Sequence, residues 1–266
     1  MSAFSEHDHI LLDRPEVCRA IFHPRGEWGP PSGNDNVHMI QVESDISIGA
    51  RFHLVGPSAA NVLFFHGNGE IAFDYEDVGP LYNRIGVNLL VADYRGYGLS
   101  GGVPTVSAML GDSHHILDYT RTWLEANGYS GPLVVMGRSL GSAPALELAA
   151  HRDGIDGLII ESGFARTAPL LSLLGVDVSR LGIDKAHGFH NADKIAQFAG
   201  PTLVIHAQYD HIIPYSDGEA LFDASGAAKK KMLRIDNANH NDLFFVGMER
   251  YLKAVQELAR EVLQDA

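Results

Sequence analysis

The chain has 266 residues, with 20 lysines and arginines against 33 aspartates and glutamates and a formal net charge of −13 at pH 7. This acidic balance argues against nucleic acid or an anionic membrane surface as a partner. Cys18 is the only cysteine, which excludes an internal disulfide and fits a reducing compartment. No apolar run reaches the roughly 18 residues of a membrane span, and the first residues lack the basic segment of a secretory signal. We therefore expect a cytoplasmic protein without a membrane anchor, as a monomer or small homo-oligomer.

Hydrophobic periodicity predicts a sheet that starts antiparallel and then becomes parallel. Met39–Val42 and Ile48–Val55 predict two strands with no helix between them. Six further apolar runs alternate with amphipathic stretches, an order that favours an α/β fold with helices on both faces of a mostly parallel sheet. The six runs are Val62–Phe65, Val87–Ala92, Leu133–Met136, Leu158–Ile160, Leu203–His206 and Met232–Ile235. The stretches predict helices at Tyr75–Ile85, Val106–Ala126, Ala143–His151, Tyr215–Ala224 and Leu243–Leu263.

Residues 1–266 fit one domain, and two segments stand apart from its strand–helix alternation. Residues 1–36 form an N-terminal extension, whose turn-rich part Pro24–Asn36 predicts a surface loop. Residues 164–200 are longer than a usual connection between strands. Because Ala168–Val176 in this segment is apolar, we interpret it as a small cap over the functional site. A helical connection packed on the core is the alternative.

The motif Gly137-Arg138-Ser139-Leu140-Gly141 carries the strongest functional signal. It follows an apolar strand and precedes a helical pattern, which is the context of a nucleophilic serine on a sharp strand-to-helix turn. Glycine at both ends of the motif leaves room where side chains would clash. The same pattern also surrounds Ser100, but Val103-Pro104 follow it and no helix begins there. We therefore predict Ser139 as the nucleophile and Ser100 as a loop residue.

A serine nucleophile needs a base and a group that orients the base, and both are expected at the carboxyl ends of parallel strands. Asp210 follows the strand Leu203–His206, and His240 follows the strand Met232–Ile235. The chain order serine, aspartate, histidine is the one expected of hydrolases whose serine lies on such a strand-to-helix turn. Asp210 would hold the His240 ring, and His240 would accept the serine proton. Glu161, after the strand Leu158–Ile160, is the rival acid.

The oxyanion formed in acyl transfer needs backbone amides near the nucleophile. We predict that the amide of Leu140 and the amide of Asn68 supply them, with Gly69 as the alternative to Asn68, because the glycine-rich loop His66–Glu70 follows a strand. Substrate contacts are expected from a further set of residues near this loop, the motif and the cap. These are Gly69, Arg138, Leu170, Leu171 and Leu174.

Two other chemistries match parts of the sequence. Residues 67–72 fit the dinucleotide-binding pattern, with Asp93 placed for a ribose contact, which would indicate a nucleotide-binding oxidoreductase. That reading leaves the serine, aspartate and histidine placements unexplained. Asp184, His187 and His190 are the best candidate metal ligands, but they lack a full ligand set. We expect neither a metal nor a cofactor.

The chain resembles the α/β-hydrolase superfamily, and more narrowly the small-cap serine hydrolases of the BEM46-like group. The likeness runs from about Val37 to the C-terminus. The matching pieces are His66-Gly67-Asn68-Gly69, the loop Asp93–Gly102, the Ser139 motif, Glu161-Ser162-Gly163-Phe164, Asp210 with Pro214, and His240. This resemblance implies an eight-stranded sheet with an antiparallel second strand, hydrolysis without a cofactor, and a structural role for Asp93–Gly98 beside the oxyanion site.

Together these features predict a serine hydrolase that cleaves a small-molecule carboxylic ester or acyl thioester through an acyl-enzyme at Ser139. The apolar residues of Ala168–Val176 would receive the acyl chain. An amidase or peptidase would use the same three residues, and a non-catalytic ligand-binding protein on this fold is a further alternative.

Overall fold

The computed structural model describes residues 6–27 and 36–265 of the chain, and within them eight strands form one sheet. All eight predicted strands are present. Their bounds are β1 Val37–Glu43, β2 Ile46–His53, β3 Ala60–Phe65, β4 Val87–Ala92, β5 Leu133–Arg138, β6 Gly157–Glu161, β7 Thr202–Ala207 and β8 Lys230–Ile235.

The strand order is β1-β2-β4-β3-β5-β6-β7-β8. Strand β2 pairs antiparallel with both β1 and β4, whereas the pairs from β4 through β8 are parallel. The antiparallel start and the mostly parallel sheet are therefore confirmed. This order places β3 and β5 side by side, so the loop after Phe65 and the turn after Arg138 lie next to each other at the same edge of the sheet.

Helices cover both faces of the sheet, and alternate strand residues contact the two sides. The helices are α1 Glu6–Leu12, α2 Pro15–Ile21, α3 Gly79–Arg84, α4 Val106–Ala126, α5 Ser142–His151, α6 Thr167–Leu173, α7 Val178–Leu181, α8 Asn191–Gln197, α9 Tyr215–Ala224 and α10 Leu243–Asp265. On β3, Leu63 and Phe65 pack toward α4 and α5, while Val62 and Phe64 pack toward α3 and α10. Within the described ranges, no helix has the length and apolar character needed to cross a membrane.

The structure differs from the sequence-based expectation in two regions. The helix predicted over Tyr75–Ile85 is a short 3₁₀ turn at Ala72–Tyr75 followed by α3, in which Pro80 occupies the first turn. Proline lacks an amide hydrogen and is tolerated only at a helix start, so it divides this segment. The N-terminal extension contains α1 and α2, which the analysis of the sequence did not predict. Most of the predicted loop Pro24–Asn36 falls on residues 28–35, outside the described residues.

The long connection between β6 and β7 contains α6, α7 and α8, and the N-terminal helices pack against it. The amide of Gly188 donates to the Asp8 carboxylate at 2.8 Å, and Arg14 donates to the carbonyl of Leu181 at 3.4 Å. These contacts join the N-terminal extension to residues 164–200, two segments that are far apart in the sequence. We refer to residues 164–200 as the cap segment.

A buried ion pair fastens the cap segment to the rest of the molecule. The Lys194 ammonium in α8 lies 2.6 Å from the Glu147 carboxylate in α5, and the lysine side chain is fully buried. Burial lowers the pKa of Lys194, and the nearby Glu147 charge partly offsets this. Burial also raises the pKa of Glu147, but hydrogen bonding to His114 and the Lys194 charge bring it down to about 2. Glu147 is therefore ionised at neutral pH, and its charge favours the protonated form of Lys194.

We expect Lys194→Met to destabilise the protein by about 3–5 kcal/mol, because it leaves the Glu147 charge buried without its main partner. Lys194→Met combined with Glu147→Leu should recover much of that loss, since the second change removes the unpaired charge. Urea denaturation of both variants measures the difference. Lys185→Met, at an exposed lysine of the cap segment, is the control; a Lys194→Met effect as small as that of the control would contradict the expectation.

Candidate active site

The turn after β5 holds Ser139 in an unusual backbone conformation. Its φ angle is +51°, in the left-handed region that non-glycine residues rarely occupy. A Cβ at position 141 would collide with the carbonyl group of Phe65, and one at position 137 would collide with the carbonyl of residue 141. Glycine at these two positions therefore allows the turn to close against β3. The turn directs the serine hydroxyl to the carboxyl edge of the sheet.

The structure brings the three predicted catalytic side chains into one hydrogen-bonded chain. Ser139 Oγ lies 3.0 Å from His240 Nε2, and His240 Nδ1 lies 2.7 Å from Asp210 Oδ2. The histidine is nearly buried, and the aspartate side chain is fully buried. The three residues come from the turns after β5, β7 and β8. This geometry suits a serine whose proton passes to a histidine that a carboxylate orients.

The Asp210 carboxylate is held by more than the histidine. Its Oδ1 accepts hydrogen bonds from the amides of Ile212 and Ile213 at 3.0 and 2.8 Å. Burial raises the pKa of Asp210, but the hydrogen bonds to His240 and to the Ile213 amide outweigh burial and hold the pKa below its ordinary value. Asp210 is therefore ionised throughout the neutral range and can stabilise a positive charge on the His240 ring.

A second histidine, which the sequence analysis did not assign to the site, lies beside Asp210. His206 Nε2 is 2.9 Å from the carbonyl oxygen of Ile213 and 3.5 Å from Asp210 Oδ2, and its side chain is fully buried. Burial lowers the pKa of His206, so the ring is neutral at pH 7. In the tautomer that donates from Nε2, it fixes the loop that carries Asp210. Its position at the end of β7 is the only signal of this role in the sequence.

A small apolar cavity opens at Ser139. Its volume is about 60 Å³, and Asn68 and Leu140 line it together with the serine. The two residues predicted to supply oxyanion amides are therefore next to the nucleophile. Apolar side chains from α2, the cap segment and the Asp210 loop complete the wall. They are Ile21, Phe164, Leu170, Leu174, Phe189, Ile212 and Ile213.

Three of the residues expected to contact substrate lie elsewhere. Leu171 is fully buried in the hydrophobic core, because α6 turns this side chain inward while Leu170 and Leu174 face the cavity. Gly69 accepts a hydrogen bond from Arg25 at 2.6 Å through its carbonyl and does not line the cavity. Arg138 points away from the cavity into an ion-pair cluster. These three expectations differ from the structure, whereas Leu170 and Leu174 are on the cavity wall.

The loop after β3 is braced from below by the segment Asp93–Gly98. The Asp93 carboxylate accepts from the amide of Ala72 at 2.8 Å and lies 3.2 Å from His66 Nε2. The Tyr94 hydroxyl donates to the carbonyl of His66 at 2.6 Å, and the Tyr97 hydroxyl donates to the Asn68 side chain at 2.8 Å. Asp93 is almost fully buried in these contacts, so it does not offer the ribose contact that a dinucleotide site needs.

The N-terminal extension also holds this loop, a contact that the sequence analysis missed. The amide of His23 donates to the Asn68 side chain at 2.9 Å, and Arg25 forms an ion pair with Asp74 besides its bond to Gly69. These contacts fix the loop from the solvent side. The apolar residues Val17 and Ile21, four apart in α2, are the one signal in the sequence that this segment packs on the protein.

Arg138 connects the Asn68 loop with the His240 loop. Its guanidinium donates to the carbonyl of His240 at 2.8 Å and lies 2.5 Å from the Glu70 carboxylate. Glu70 in turn accepts from the amide of Gly67 at 2.8 Å. The third partner of Arg138 is Glu161, at 2.9 Å. Glu161 is thus bound in this cluster, and Asp210, not Glu161, is the carboxylate in contact with His240.

The other candidates from the sequence occupy different surroundings. Ser100 accepts from the amide of Gly49 at 2.9 Å in a loop, as predicted, and has no helix after it. His187 pairs with Asp184 at 3.0 Å, while His190 turns toward Asp8 at 3.3 Å, so the three residues of the suggested metal site do not converge. Over the ranges 6–27 and 36–265, no group of three or more potential metal ligands is assembled.

The sequence of this chain is similar to those of known hydrolases. Residues 56–182 match a hydrolase family described as serine aminopeptidase, S33; this range includes the Ser139 turn and ends before Asp210. Alpha/beta hydrolase domain-containing protein 17B of Homo sapiens is 30% identical over 237 residues, 85% of this chain and 75% of that protein. The chain belongs to the α/β-hydrolase superfamily. The uncharacterized protein YfhR of Salmonella typhi is 29% identical over 70% of this chain and 66% of its own length.

Solved structures of this superfamily share the fold. An esterase from Pyrococcus furiosus superimposes with a TM-score of 0.68 at 17% identity, covering 90% of this chain and 99% of that one. A soluble variant of monoglyceride lipase from Saccharomyces cerevisiae, solved with a substrate analog, also gives a TM-score of 0.68, at 18% identity and with 88% and 97% coverage. At these identities the likeness establishes that this α/β hydrolase has their fold.

We expect Asp210→Asn to lower kcat/KM for any turned-over substrate by about 10⁴-fold while the protein stays folded, because an amide favours the wrong tautomer of His240. Steady-state kinetics with a circular dichroism check measures this. Asp236→Asn, at an exposed aspartate after β8, is the matched control and should keep full activity. A loss under tenfold in Asp210→Asn would remove this residue from the proposed acid position.

We also expect stability to fall as the pH drops from about 7.5 to about 5.5, because neutral His206 has a lowered folded pKa and the unfolded chain takes up its proton first. The stabilisation is complete above the unfolded pKa and is lost below it. His206→Gln should reduce the slope of the free energy of unfolding against pH by up to about 1.4 kcal/mol per pH unit. Urea denaturation across this range measures the slope. His211→Gln, an exposed histidine in the same loop, should leave it unchanged, and equal slopes in wild type and His206→Gln would refute the assignment.

Proposed function

We propose that this α/β hydrolase is a serine hydrolase that cleaves a carboxylic ester or acyl thioester through a Ser139 acyl-enzyme. The observation that carries the proposal is the chain of hydrogen bonds from Ser139 through His240 to Asp210, at 3.0 and 2.7 Å. The strained backbone of Ser139 supports it, because such strain is typically kept at functional sites.

In the first half of the reaction, Ser139 Oγ attacks the acyl carbon while His240 Nε2 takes the hydroxyl proton. The carbonyl electron pair moves to oxygen, and the amides of Asn68 and Leu140 would stabilise the resulting oxyanion. Asp210 stabilises the positive charge on the imidazolium. When the tetrahedral intermediate collapses, the bond to the alcohol or thiol breaks, and His240 returns its proton to that leaving group.

In the second half, water replaces the leaving group. His240 takes a proton from the water as its oxygen attacks the acyl carbon of the ester at Ser139. Collapse then breaks the bond to Oγ, the proton returns to Oγ, and the carboxylic acid leaves. The three side chains and the two amides suffice for this sequence of steps, so it needs no cofactor.

Several observations favour an ester or thioester with a short acyl group. The cavity at Ser139 is small and its walls are mainly apolar, a setting that accepts a compact alkyl group. Structural neighbours include proteins named as an esterase and a monoglyceride lipase. We therefore assign the acyl group to the cavity wall formed by Leu170 and Leu174.

An amide substrate is the second candidate, and one observation favours it. The family that matches residues 56–182 is described as serine aminopeptidase. An amidase would use the same three residues, because the leaving amine takes its proton from His240 as an alcohol would. Hydrolysis of p-nitroanilides beside p-nitrophenyl esters of the same acyl group separates the two: a higher kcat/KM for the anilide would replace the ester proposal.

The proposal predicts that a fluorophosphonate probe labels one serine, Ser139. Wild type and Ser100→Ala should be labelled equally, whereas Ser139→Ala should lose at least about 99% of the label, since only an activated serine reacts. Mass spectrometry of the labelled peptide locates the site, and thermal melting confirms that each variant is folded. Absence of label from folded wild type would overturn the proposal and favour a ligand-binding role.

We expect Leu170→Ala to shift the enzyme's preference among p-nitrophenyl esters toward longer acyl chains, because replacing the isobutyl side chain by methyl removes three carbons and lengthens the cavity at Ser139. A change of about 1–3 kcal/mol per methylene group, or 10- to 200-fold in relative kcat/KM, is the range for such a pocket. Leu173→Ala is the matched control, since this leucine of the same helix is 63% exposed and does not line the cavity. An unchanged chain-length profile in Leu170→Ala would place the acyl group elsewhere.

A further inference from the structure

A second cavity lies on the other side of the His240 loop, between the sheet, α3 and α10. Its volume is about 250 Å³, several times that of the cavity at Ser139, and no described residue lines both. Nearly half of the residues on its wall are aromatic. The aromatic residues are Phe64, Tyr75, Tyr82, Phe244, Phe245 and Tyr251. We call this space the α10 cavity; nothing in the proposed reaction uses it.

The polar end of the α10 cavity carries more negative than positive charge. Glu70, Glu161 and Arg138 line it, so two carboxylates share one guanidinium. A third carboxylate on the wall, Asp74, is paired with Arg25 outside the cavity. Burial raises the pKa of Glu161, and Arg138 only partly offsets this. An added positive charge would therefore be favourable at this end of the cavity.

One oxygen at this end lacks a hydrogen-bond donor. Glu161 Oε2 accepts from the Tyr251 hydroxyl at 2.6 Å, but Glu161 Oε1 has no hydrogen-bond partner among the described residues. Arg138 Nε lies 2.9 Å from Oε1 as an ion pair without the alignment of a hydrogen bond. The Glu161 side chain is only 3% exposed, and the Arg138 charge is what compensates its Oε1. A ligand that donates a hydrogen bond here would supply the aligned donor that this oxygen lacks.

The entrance of the α10 cavity carries an exposed aromatic side chain. Phe245 is 72% exposed at the first turn of α10 while its ring belongs to the cavity lining. An aromatic wall that ends in an exposed phenylalanine suits the apolar body of a small molecule. The aromatic faces also favour a cation close to them.

We propose that the α10 cavity binds a small arylalkyl ammonium ion, with its aromatic body between the tyrosine and phenylalanine rings and its ammonium group donating to Glu161. The cavity has room for one ring and a short chain. The ligand would lie against Arg138, whose guanidinium also donates to the carbonyl of His240. Arg138 therefore connects the bound ligand to the His240 loop. The binding proposal does not depend on the proposed hydrolase reaction.

The test is calorimetric titration of the Ser139→Ala protein with phenethylammonium, beside the neutral 2-phenylethanol and the anionic 3-phenylpropionate. Using this variant separates binding from turnover, so failure of the proposed hydrolase activity does not affect the result. We expect the ammonium ion to bind at least about tenfold more tightly than the alcohol, which corresponds to about 1.4 kcal/mol, and the carboxylate to bind more weakly than both. No heat from the ammonium ion at its highest usable concentration, or equal binding of all three, would overturn the proposal.

Two variants locate the bound molecule. Glu161→Gln should weaken binding of the ammonium ion about tenfold or more and leave 2-phenylethanol unchanged, because it removes the charge but keeps the shape. Val78→Phe, on the wall of the cavity, should abolish binding of both by filling the space, and it provides the test if Glu161→Gln does not fold. Leu174→Ala, on the cavity at Ser139, should leave the affinities for the ammonium ion and for 2-phenylethanol unchanged. Wild-type affinity in folded Val78→Phe would place the ligand elsewhere and refute the proposal.

Discussion

The structure of the site depends on the close contact between the Ser139 turn and the end of β3. The carbonyl of Phe65 comes so near Gly141 that no side chain fits between them, and this contact holds Ser139 in the left-handed region. A non-glycine residue in that region costs about 1–3 kcal/mol, which the surrounding structure must supply. Pairing of β3 with β5 along five residues, within a fully buried sheet centre, supplies it. The same pairing brings the Asn68 loop beside the serine.

Buried charged and polar groups lie on two sides of the Ser139 turn. Asp210 is buried but ionised, because amides and His240 surround it, whereas His206 next to it is buried and neutral. On the opposite side, Arg138 joins the Asn68 loop and the His240 loop through Glu70 and the His240 carbonyl. The proposed catalytic residues therefore lie between two buried polar clusters that fix their backbone. Such support allows the proposed oxyanion amides and the histidine to keep their positions during a reaction.

The cover over the site comes from two segments that are far apart in the sequence. Helix α2 contributes Ile21 to the cavity wall, and the cap segment contributes Leu170 from α6 and Leu174 just after it. The cap segment is in turn fastened to α5, the helix that follows the nucleophile turn, through Lys194 and Glu147. Movement of the cap segment relative to Ser139 is thus resisted by a buried ion pair, and the shape of the cavity at Ser139 is set by side chains that are distant in sequence.

The sequence by itself determined the eight strands, the antiparallel start, and the grouping of Ser139, Asp210 and His240, because strand periodicity and the glycine turn are local patterns and parallel strands end at one edge. It did not determine which residues surround that group. Whether Leu170 or Leu171 faces the cavity depends on how α6 packs, and the roles of Arg138, His206 and His23 depend on loops that meet only in the folded chain. Such contacts follow from the packing of the whole molecule, so tertiary structure alone decided them.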